Sequence, residues 1–381
     1  MIDLQKQQDC LNLKQMLKYV ISFVFAIIVF GLSIELCIRV EQYLRFGAPI
    51  FGEYHVEILR ADGKNVPNAQ FEKWKNNNLG FRGPDITVKK PEGKIRVACI
   101  GASETYGLYE SPDKEWPAQL RDLLPAQYEV VNTAVVGLSL KTIPYYMKKH
   151  VFPIEPDIIV IVASPLFMIA KQNMQIIETV ETINEKKQEA PKEIQRLSIV
   201  ERLIISVRVI EKTKQLIKQL LVKNFPFFLQ KIYSMQLAKF ETETLKGMKP
   251  FDSAPEADLK NLKKAIEQTI YLVTANDSKL IFCTYPALIS NEAFTKYPEK
   301  MLGSRRFHAS LSIAGMRDSL IKGNEIISDT SLEKNVAVAD VAKVIPQTSD
   351  YFEDSVHYTD NGARLFAETV AAKILSDSEA R

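Results

Sequence analysis

Five short apolar runs, separated by segments with helical spacing, constrain the fold of this chain more than any other feature of its sequence. In chain order the runs are "KIRVACIG", "YEVVNTAV", "DIIVIVAS", "KLIFCTYP" and "NVAVADV". Segments such as "WPAQLRDLL", "LKTIPYYMKKHV" and "ADLKNLKKAIEQTIYLVTAN" lie between them and have the pattern of amphipathic helices. Several runs are apolar on both faces, which is typical of parallel strands covered by helices. The alternation therefore predicts an α/β fold built on a parallel sheet.

An uncharged segment near the amino terminus predicts a membrane-spanning helix. Residues 19–34 carry no charge, and with residues 36–38 the segment reaches the length of about 20 residues that a spanning helix needs. A secretory signal peptide has a similar composition, but it is followed by a cleavage site of small residues. Here only a weak Gly31-x-Ser33 follows. We therefore expect an uncleaved anchor over 19–38.

The charges before the anchor predict its orientation. Lys6, Lys14 and Lys18 lie in the short amino-terminal segment and favour a cytoplasmic amino terminus. We therefore expect a single-pass membrane protein of a bacterial-type envelope, with its carboxyl-terminal domain outside the cytoplasm. The predicted organisation is a cytoplasmic segment 1–18, a transmembrane helix 19–38, an extension or linker 41–93, and a domain 94–381 with a helical insertion at about 168–254.

The centre of the insertion, 202–233, has the pattern of a basic amphipathic helix. Between Arg202 and Lys223 there are six lysines or arginines and a single acid, Glu211. The aromatic residues Phe225, Phe227 and Phe228 follow. Two interpretations fit this pattern: a cap helix with a solvated basic face, or an element that lies on a membrane surface.

Composition excludes several classes of function. The formal net charge is only +3 and no nucleic-acid-binding signature is present, so we expect no nucleic-acid partner. The chain has four cysteines, of which Cys99 and Cys283 lie inside apolar runs, where a free cysteine behaves as a small hydrophobic residue. We therefore expect no disulfide framework, no metal site and no cofactor.

Ser103 follows the first apolar run, at the edge where a parallel sheet opens its ligand crevice. On its own it is better explained as an ordinary helix N-cap. A serine hydroxyl becomes a good nucleophile only with a base in reach and a third group that orients the base. Of the four histidines, His357 has Asp354 three residues ahead of it and precedes a final helical segment. These three residues form a candidate catalytic triad.

With these blocks in order, the sequence resembles the SGNH hydrolases, also called the GDSL family. The first block, Gly-Asp-Ser-x-Thr-x-Gly in the family, corresponds here to "GASETYG" at residues 101–107. The second corresponds to "NTAVVGLS", which contains Gly137, and the last to Asp354-x-x-His357. The upstream "NLGFRG" also resembles the lead-in of membrane-tethered members, and its Arg82 either pairs internally or faces a substrate anion.

The resemblance implies a flavodoxin-like three-layer α/β/α domain and a serine acyl-transfer mechanism. Ser103 would attack an ester carbonyl, His357 would take its proton, and Asp354 would orient His357. The backbone amides of Ser103 and Gly137 would stabilise the oxyanion. The α/β-hydrolase elbow, Gly-x-Ser-x-Gly, is a poorer match, because here the second glycine lies four residues after the serine.

The sequence departs from the family pattern at two places. Ala102 replaces the usual aspartate beside the nucleophile. The third block, which carries Gly-x-Asn-Asp in the family, reads "ASPLFM" here, so the asparagine that completes the oxyanion hole is absent. Loss of one such donor typically lowers the rate by about 10² to 10³. Ser164 is a candidate for a substitute hydroxyl.

The leading hypothesis is a membrane-anchored serine esterase or deacylase that cleaves a carboxylic ester through an acyl-enzyme on Ser103. Its expected substrates are acyl groups on an envelope glycan or lipid, and its expected membrane contacts are the amino-terminal helix and the basic segment 202–233. Two alternatives stay open: an O-acyltransferase of an envelope polysaccharide that uses the same serine, and a catalytically degenerate binding or assembly module.

Overall fold

The computed structural model describes residues 2–46, 50, 64–71, 73–169, 213, 216–217, 220–221, 224–244 and 249–379. The chain divides into two compact units, which are described separately. The first contains residues 1–56 and 191–223, and the second contains residues 57–190 and 224–381.

The described part of the first unit is dominated by one long helix, α1 (Ile2–Phe46). Its segment Gln15–Leu44 is 30 residues long and, by length and composition, suffices to cross a membrane; none of its most apolar stretch is buried within the protein. The helix extends on both sides of the predicted anchor 19–38. The flanking residues include Leu, Gln, Lys and Glu, which favour helix, and no proline lies between residues 2 and 46 to end it.

The second unit is built on a five-stranded parallel sheet, as the apolar runs predict. Its strands are β3 (Ile95–Ile100), β4 (Tyr128–Asn132), β5 (Ile158–Val162), β6 (Lys279–Cys283) and β7 (Ala337–Ala339). Their spatial order is β4-β3-β5-β6-β7, which is the flavodoxin-like order 2-1-3-4-5 for these five strands. Every residue of β5 is buried, which explains its uninterrupted apolar sequence IIVIV.

Helices cover both faces of this sheet. The helix α3 (Trp116–Leu123) packs on the carboxyl-terminal helix α11 (Asp360–Glu379), where the Trp116 and Phe366 rings stack with centroids 4.6 Å apart. The helices α4 (Ile143–Tyr146), α6 (Glu256–Thr274) and α9 (Ile313–Glu333) form the second layer. Right-handed crossovers on opposite sides of β3 place the two layers on opposite faces. The predicted α/β/α fold is confirmed.

The remaining elements connect these layers and border the strand ends. They are the antiparallel pair β1 (Gln70–Phe71) and β2 (Trp74–Lys75), and the helices α2 (Ser103–Tyr106), α5 (Pro226–Lys239), α7 (Asn291–Lys296), α8 (Pro298–Phe307) and α10 (Val341–Val344). Much of the predicted insertion 168–254, including most of its basic segment before residue 224, lies outside the described residues. Within it, α5 begins at Pro226, since proline is favoured in the first turn of a helix.

The stretch 64–93, inside the predicted linker, packs against the sheet. The Arg82 amide donates to the Asn132 carbonyl at 3.1 Å, and the Asn65 side chain donates to the Ala134 carbonyl at 2.9 Å. The guanidinium of Arg82, with 3% of its side chain exposed, pairs with Glu115 at 3.1 Å. Arg82 therefore pairs internally and supports the segment that follows β3.

Candidate active site

The turn that carries Ser103 is fixed by two glycines. At Gly101 a Cβ atom would lie 2.0 Å from Oγ1 of Thr105, so no side chain fits between β3 and α2. Gly107 ends α2 with a φ of 84°, and a Cβ there would lie 2.3 Å from the Cβ of Glu115. Both positions therefore require glycine. The short helix between them presents Ser103 at the carboxyl end of β3.

The loop that carries Asp354 and His357 is closed on itself. The Glu353 amide donates to the His357 carbonyl at 2.9 Å, and Phe352 pairs with Tyr358 in an isolated antiparallel bridge. The Asp354 carboxylate accepts the amides of Val356 and His357 through one oxygen, each at 2.9 Å. Such a local turn around an aspartate leaves its second oxygen free to face the imidazole.

The structure brings Ser103, His357 and Asp354 together. His357 Nε2 lies 2.8 Å from Ser103 Oγ, although 254 residues separate them in the chain. His357 Nδ1 lies 2.7 Å from the second carboxylate oxygen of Asp354. A proton on Nδ1 that is donated to Asp354 leaves Nε2 as the acceptor for the serine proton. The arrangement has the geometry of an activated nucleophile, its base and the group that orients the base.

The pair of Asp354 and His357 shifts the pKa of both groups. Burial raises the pKa of Asp354, but the hydrogen bond and charge of His357, with the two amide donors, outweigh it and hold that pKa below its ordinary value. Burial by itself lowers the pKa of His357, but the hydrogen bond and charge of Asp354 outweigh it and raise that pKa above the ordinary 6.5. The aspartate therefore stabilises the imidazolium that forms when the histidine takes a proton.

Two buried carboxyls lie near the histidine. Glu104, next to the nucleophile, is 2% exposed and accepts the Ala102 amide at 2.9 Å. Glu110 is 1% exposed; one of its oxygens accepts the Tyr109 amide at 3.1 Å, and the other has no partner among the described residues. Burial raises the pKa of Glu104, and it raises the pKa of Glu110 to about 8. Both carboxyls contribute to raising the pKa of His357.

Ser164 and the candidate nucleophile follow neighbouring parallel strands at the same edge of the sheet. Ile100 is paired with Ile161 across β3 and β5, so Ser103 and Ser164 are each the third residue beyond a paired position. Gly137 follows β4, on the other side of β3, with a φ of 82° and an exposed backbone. Within the described part of the chain, the amides of Ser103 and Gly137 donate no hydrogen bond. Both N–H groups are thus available to a ligand at this edge.

Two residues of the divergent block "ASPLFM", Leu166 and Ser164, lie in different environments. Leu166 is 2% exposed and belongs to the core, in a short 3₁₀ turn over Pro165–Phe167, so it offers no donor to the site. Ser164 is 5% exposed and directly follows β5. Burial raises the pKa of the Tyr285 phenol, at the end of β6, and a hydrogen bond donated by Ser164 offsets part of that rise.

One helix of the second unit holds the loop of the candidate triad in place. The Lys300 ammonium on α8 donates to the Phe352 carbonyl at 2.6 Å. Ser304, one turn later, lies with its hydroxyl 2.5 Å from that of Ser355. On the other side, the Leu288 amide donates to the Ser355 carbonyl at 2.8 Å. These bonds lock the backbone between Phe352 and His357.

Sequence reasoning missed several residues of this site. The Tyr109 ring packs against His357 at a tilt of 39° with ring centroids 4.9 Å apart, and it is 48% exposed, so it borders the entrance to the site. Tyr285 had a usable signal, because it follows a parallel strand at the carboxyl edge where ligands bind. Glu104 also had a signal, because it directly follows the candidate nucleophile in the sequence. Lys300 had no such signal, because its contact depends on how α8 packs.

Comparisons with known proteins give structural similarity alone. No protein-family model and no curated protein sequence matches the chain. The similar solved structures include a lipolytic protein of the G-D-S-L family from Desulfitobacterium hafniense DCB-2, at 14% identity and a TM-score of 0.39, over 73% of this chain and 99% of that chain. A GDSL-like lipase from Bacteroides thetaiotaomicron has 13% identity and a TM-score of 0.39, over 77% and 93%. An acetylxylan esterase from Geobacillus stearothermophilus has 13% identity and a TM-score of 0.38, over 74% and 94%.

Proposed function

We propose that the chain is a serine ester hydrolase that works through an acyl-enzyme on Ser103. The observation that carries the proposal is the continuous contact from Ser103 Oγ to His357 Nε2, at 2.8 Å, and from His357 Nδ1 to Asp354, at 2.7 Å. A helix N-cap role for the serine does not account for it, since Ser103 is the first residue of α2 and its cap is Ala102. A histidine with a purely structural role would not need a serine hydroxyl at one ring nitrogen and a carboxylate at the other.

In the proposed reaction, Ser103 Oγ attacks the ester carbonyl carbon as His357 Nε2 takes the hydroxyl proton. The resulting tetrahedral oxyanion collapses, the bond to the alcohol oxygen breaks, and the alcohol leaves with the proton from the imidazolium. Water then attacks the acyl-serine with His357 again as the base, releasing the carboxylic acid and restoring Ser103. Asp354 stays ionised throughout and keeps the imidazole in the productive tautomer.

The oxyanion would be stabilised by the amides of Ser103 and Gly137 and by the Ser164 hydroxyl. The two amides are free to donate, and Ser164 supports the proposal because it follows β5 at the same sheet edge at which Ser103 follows β3. Tyr285 would hold the Ser164 side chain in place through the hydrogen bond between the two hydroxyls. A neutral hydroxyl donor would then replace the asparagine amide that the family pattern places at this edge.

The proposal extends to location and substrate class. The helix α1 supports a single-pass membrane anchor, and Lys6, Lys14 and Lys18 before its apolar segment support a cytoplasmic amino terminus with the catalytic unit outside. We propose acyl groups on an envelope glycan or lipid as the substrates of a site so anchored. With the same acyl-enzyme, a sugar hydroxyl in place of water would make the reaction an acyl transfer.

A fluorophosphonate probe on the full chain in detergent tests the nucleophile. We expect the wild type to be labelled, Ser103→Ala to be unlabelled, and the exposed neighbour Ser111→Ala to be labelled normally. Absence of labelling in the folded wild type, or equal labelling of Ser103→Ala, would overturn the proposal. Product analysis with an acetyl ester as donor and an unacylated sugar as acceptor then distinguishes hydrolysis, which releases free acid, from transfer, which yields an acetylated sugar.

A further inference from the structure

The amino-terminal end of α5 exposes large apolar side chains, which is unusual for a helix at a protein surface. Phe227 is 78% exposed, Phe228 is 57% exposed, and Met235 two turns later is 64% exposed. Phe225, directly before the helix, is 59% exposed. Surface helices normally turn charged and polar side chains outward and keep their apolar stripe for the core. The aromatic end of α5, defined as Phe225, Phe227 and Phe228, therefore needs an explanation other than packing within this unit.

The opposite face of α5 already has its partners. Leu237 is 9% exposed and belongs to the hydrophobic core, and Tyr233 packs against that core from its edge. The Gln230 side chain donates to the Lys296 carbonyl at 3.1 Å. Just beyond the helix, Glu241 forms a two-pronged ion pair with Arg305 of α8. The helix is thus fixed in orientation, and its aromatic end points away from the core.

Charge indicates what the aromatic end contacts. The helix α5 carries two lysines, Lys231 and Lys239, and no acidic residue, and Lys231 is exposed. The sequence just before it, from Arg202 to Lys223, has six basic residues and one acid. Aromatic residues beside lysines are typical of elements that insert at the boundary between headgroups and acyl chains, where basic residues are attracted to an anionic surface.

We infer that the aromatic end of α5 docks on the surface of a lipid bilayer that contains anionic headgroups. The same chain carries α1, which by length and composition suffices to span a bilayer, so a lipid bilayer is an occupant that a second segment of the chain also fits. The docking does not depend on the proposed ester chemistry. If the chain is also an ester hydrolase, α5 and α8 would position the candidate active site next to acyl groups at the membrane surface.

The test places a tryptophan at the surface of the full chain. Phe227→Trp and the matched control Ile321→Trp, an exposed position on α9 at 53%, are reconstituted into vesicles of phosphatidylcholine and phosphatidylglycerol with brominated acyl chains. The quenching of wild type, which reports the native Trp74 and Trp116, is subtracted. We expect several-fold stronger additional quenching for Phe227→Trp than for Ile321→Trp, decreasing when phosphatidylglycerol is omitted.

Other outcomes contradict the inference. Equal quenching of the two reporters would show that α5 does not reach the acyl chains. A blue-shifted but unquenched emission from Phe227→Trp would show that protein, and not lipid, covers the aromatic end. Quenching that is unchanged without phosphatidylglycerol would overturn the requirement for anionic headgroups. Circular dichroism of both variants confirms that the comparison is made on folded protein.

Discussion

At the scale of single residues, Asp354 has two separate tasks. One carboxylate oxygen closes its own loop by accepting two amides, and the other holds His357 Nδ1 at 2.7 Å. Replacing the carboxylate by an amide preserves the shape but favours the wrong imidazole tautomer. We expect Asp354→Asn to lower kcat for a p-nitrophenyl ester by about 10⁴ while the protein stays folded. A loss below tenfold would show that Asp354 does not orient the base.

Ser164 is the residue on which the oxyanion proposal depends. Removing a single oxyanion donor lowers kcat by about 10² to 10³ with little effect on KM, so we expect this loss for Ser164→Ala. Tyr285→Phe should lose a smaller part of the same effect, because the phenol acts only through the Ser164 hydroxyl. Steady-state kinetics of both variants and of the double variant measure the coupling. Additive losses would contradict a shared function.

The pH dependence of activity follows from the pKa of His357. The base must be neutral, and its pKa is raised above 6.5. We therefore expect kcat/KM to rise with pH with a midpoint above 6.5, and the midpoint to fall in Asp354→Asn, where the charge that raises this pKa is gone. A pH–rate profile of both proteins measures the two midpoints. An unchanged midpoint in the variant would show that another group titrates.

At the scale of elements, α8 fixes the loop of the candidate triad without contributing to the chemistry. The Lys300 ammonium donates to the Phe352 carbonyl at 2.6 Å, two residues before Asp354. Loss of a hydrogen bond from a charged donor costs about 1.5 kcal/mol. We expect Lys300→Met to lower the free energy of unfolding by about this amount and to lower kcat, and Lys300→Arg to restore part of both. Urea unfolding and ester kinetics measure them together. A drop in kcat with unchanged stability would point to a different role.

The turn between α2 and α3 depends on a glycine. Gly107 has a φ of 84°, and a Cβ there would lie 2.3 Å from the Cβ of Glu115. The clash and the left-handed backbone lead us to expect that Gly107→Ala lowers the free energy of unfolding by more than about 1 kcal/mol. Gly303→Ala, where a Cβ meets nothing within 4 Å, is the control and should be neutral or stabilising. Equal stabilities of the two variants would refute the steric argument.

At the scale of the whole molecule, the buried Glu110 links stability to pH. Burial raises its pKa from the ordinary 4.5 to about 8, so between these values the native state holds a proton that the unfolded state has released. Stability contributed by the neutral form is therefore lost as the pH rises through this window. Glu110→Gln keeps the neutral shape without the titration. We expect its free energy of unfolding, relative to wild type, to increase from pH 5 to pH 8. Parallel urea titrations at the two values check the sign, and a constant difference would contradict it.

The fold followed from the sequence because its signals are local. Each apolar run, such as "DIIVIVAS", reports the burial of its own residues, and the alternation with helices restricts the sheet to a parallel arrangement. The uncharged segment at 19–34 likewise indicated a long apolar helix by itself. Within the candidate site, Ser103 and the pair Asp354-x-x-His357 were found because their spacing belongs to motifs that resemble those of a known family.

Which groups surround those motifs depends on how distant segments of the chain pack together. The 2.8 Å contact between His357 and Ser103 joins residues 254 positions apart. Ser164 and Tyr285 meet because two parallel strands share a register. Lys300 reaches the loop of the candidate triad because α8 packs beside it. Sequence patterns report periodicity and composition along the chain, whereas a hydrogen bond or a shifted pKa depends on distances between distant segments, and those are determined only when the core packs.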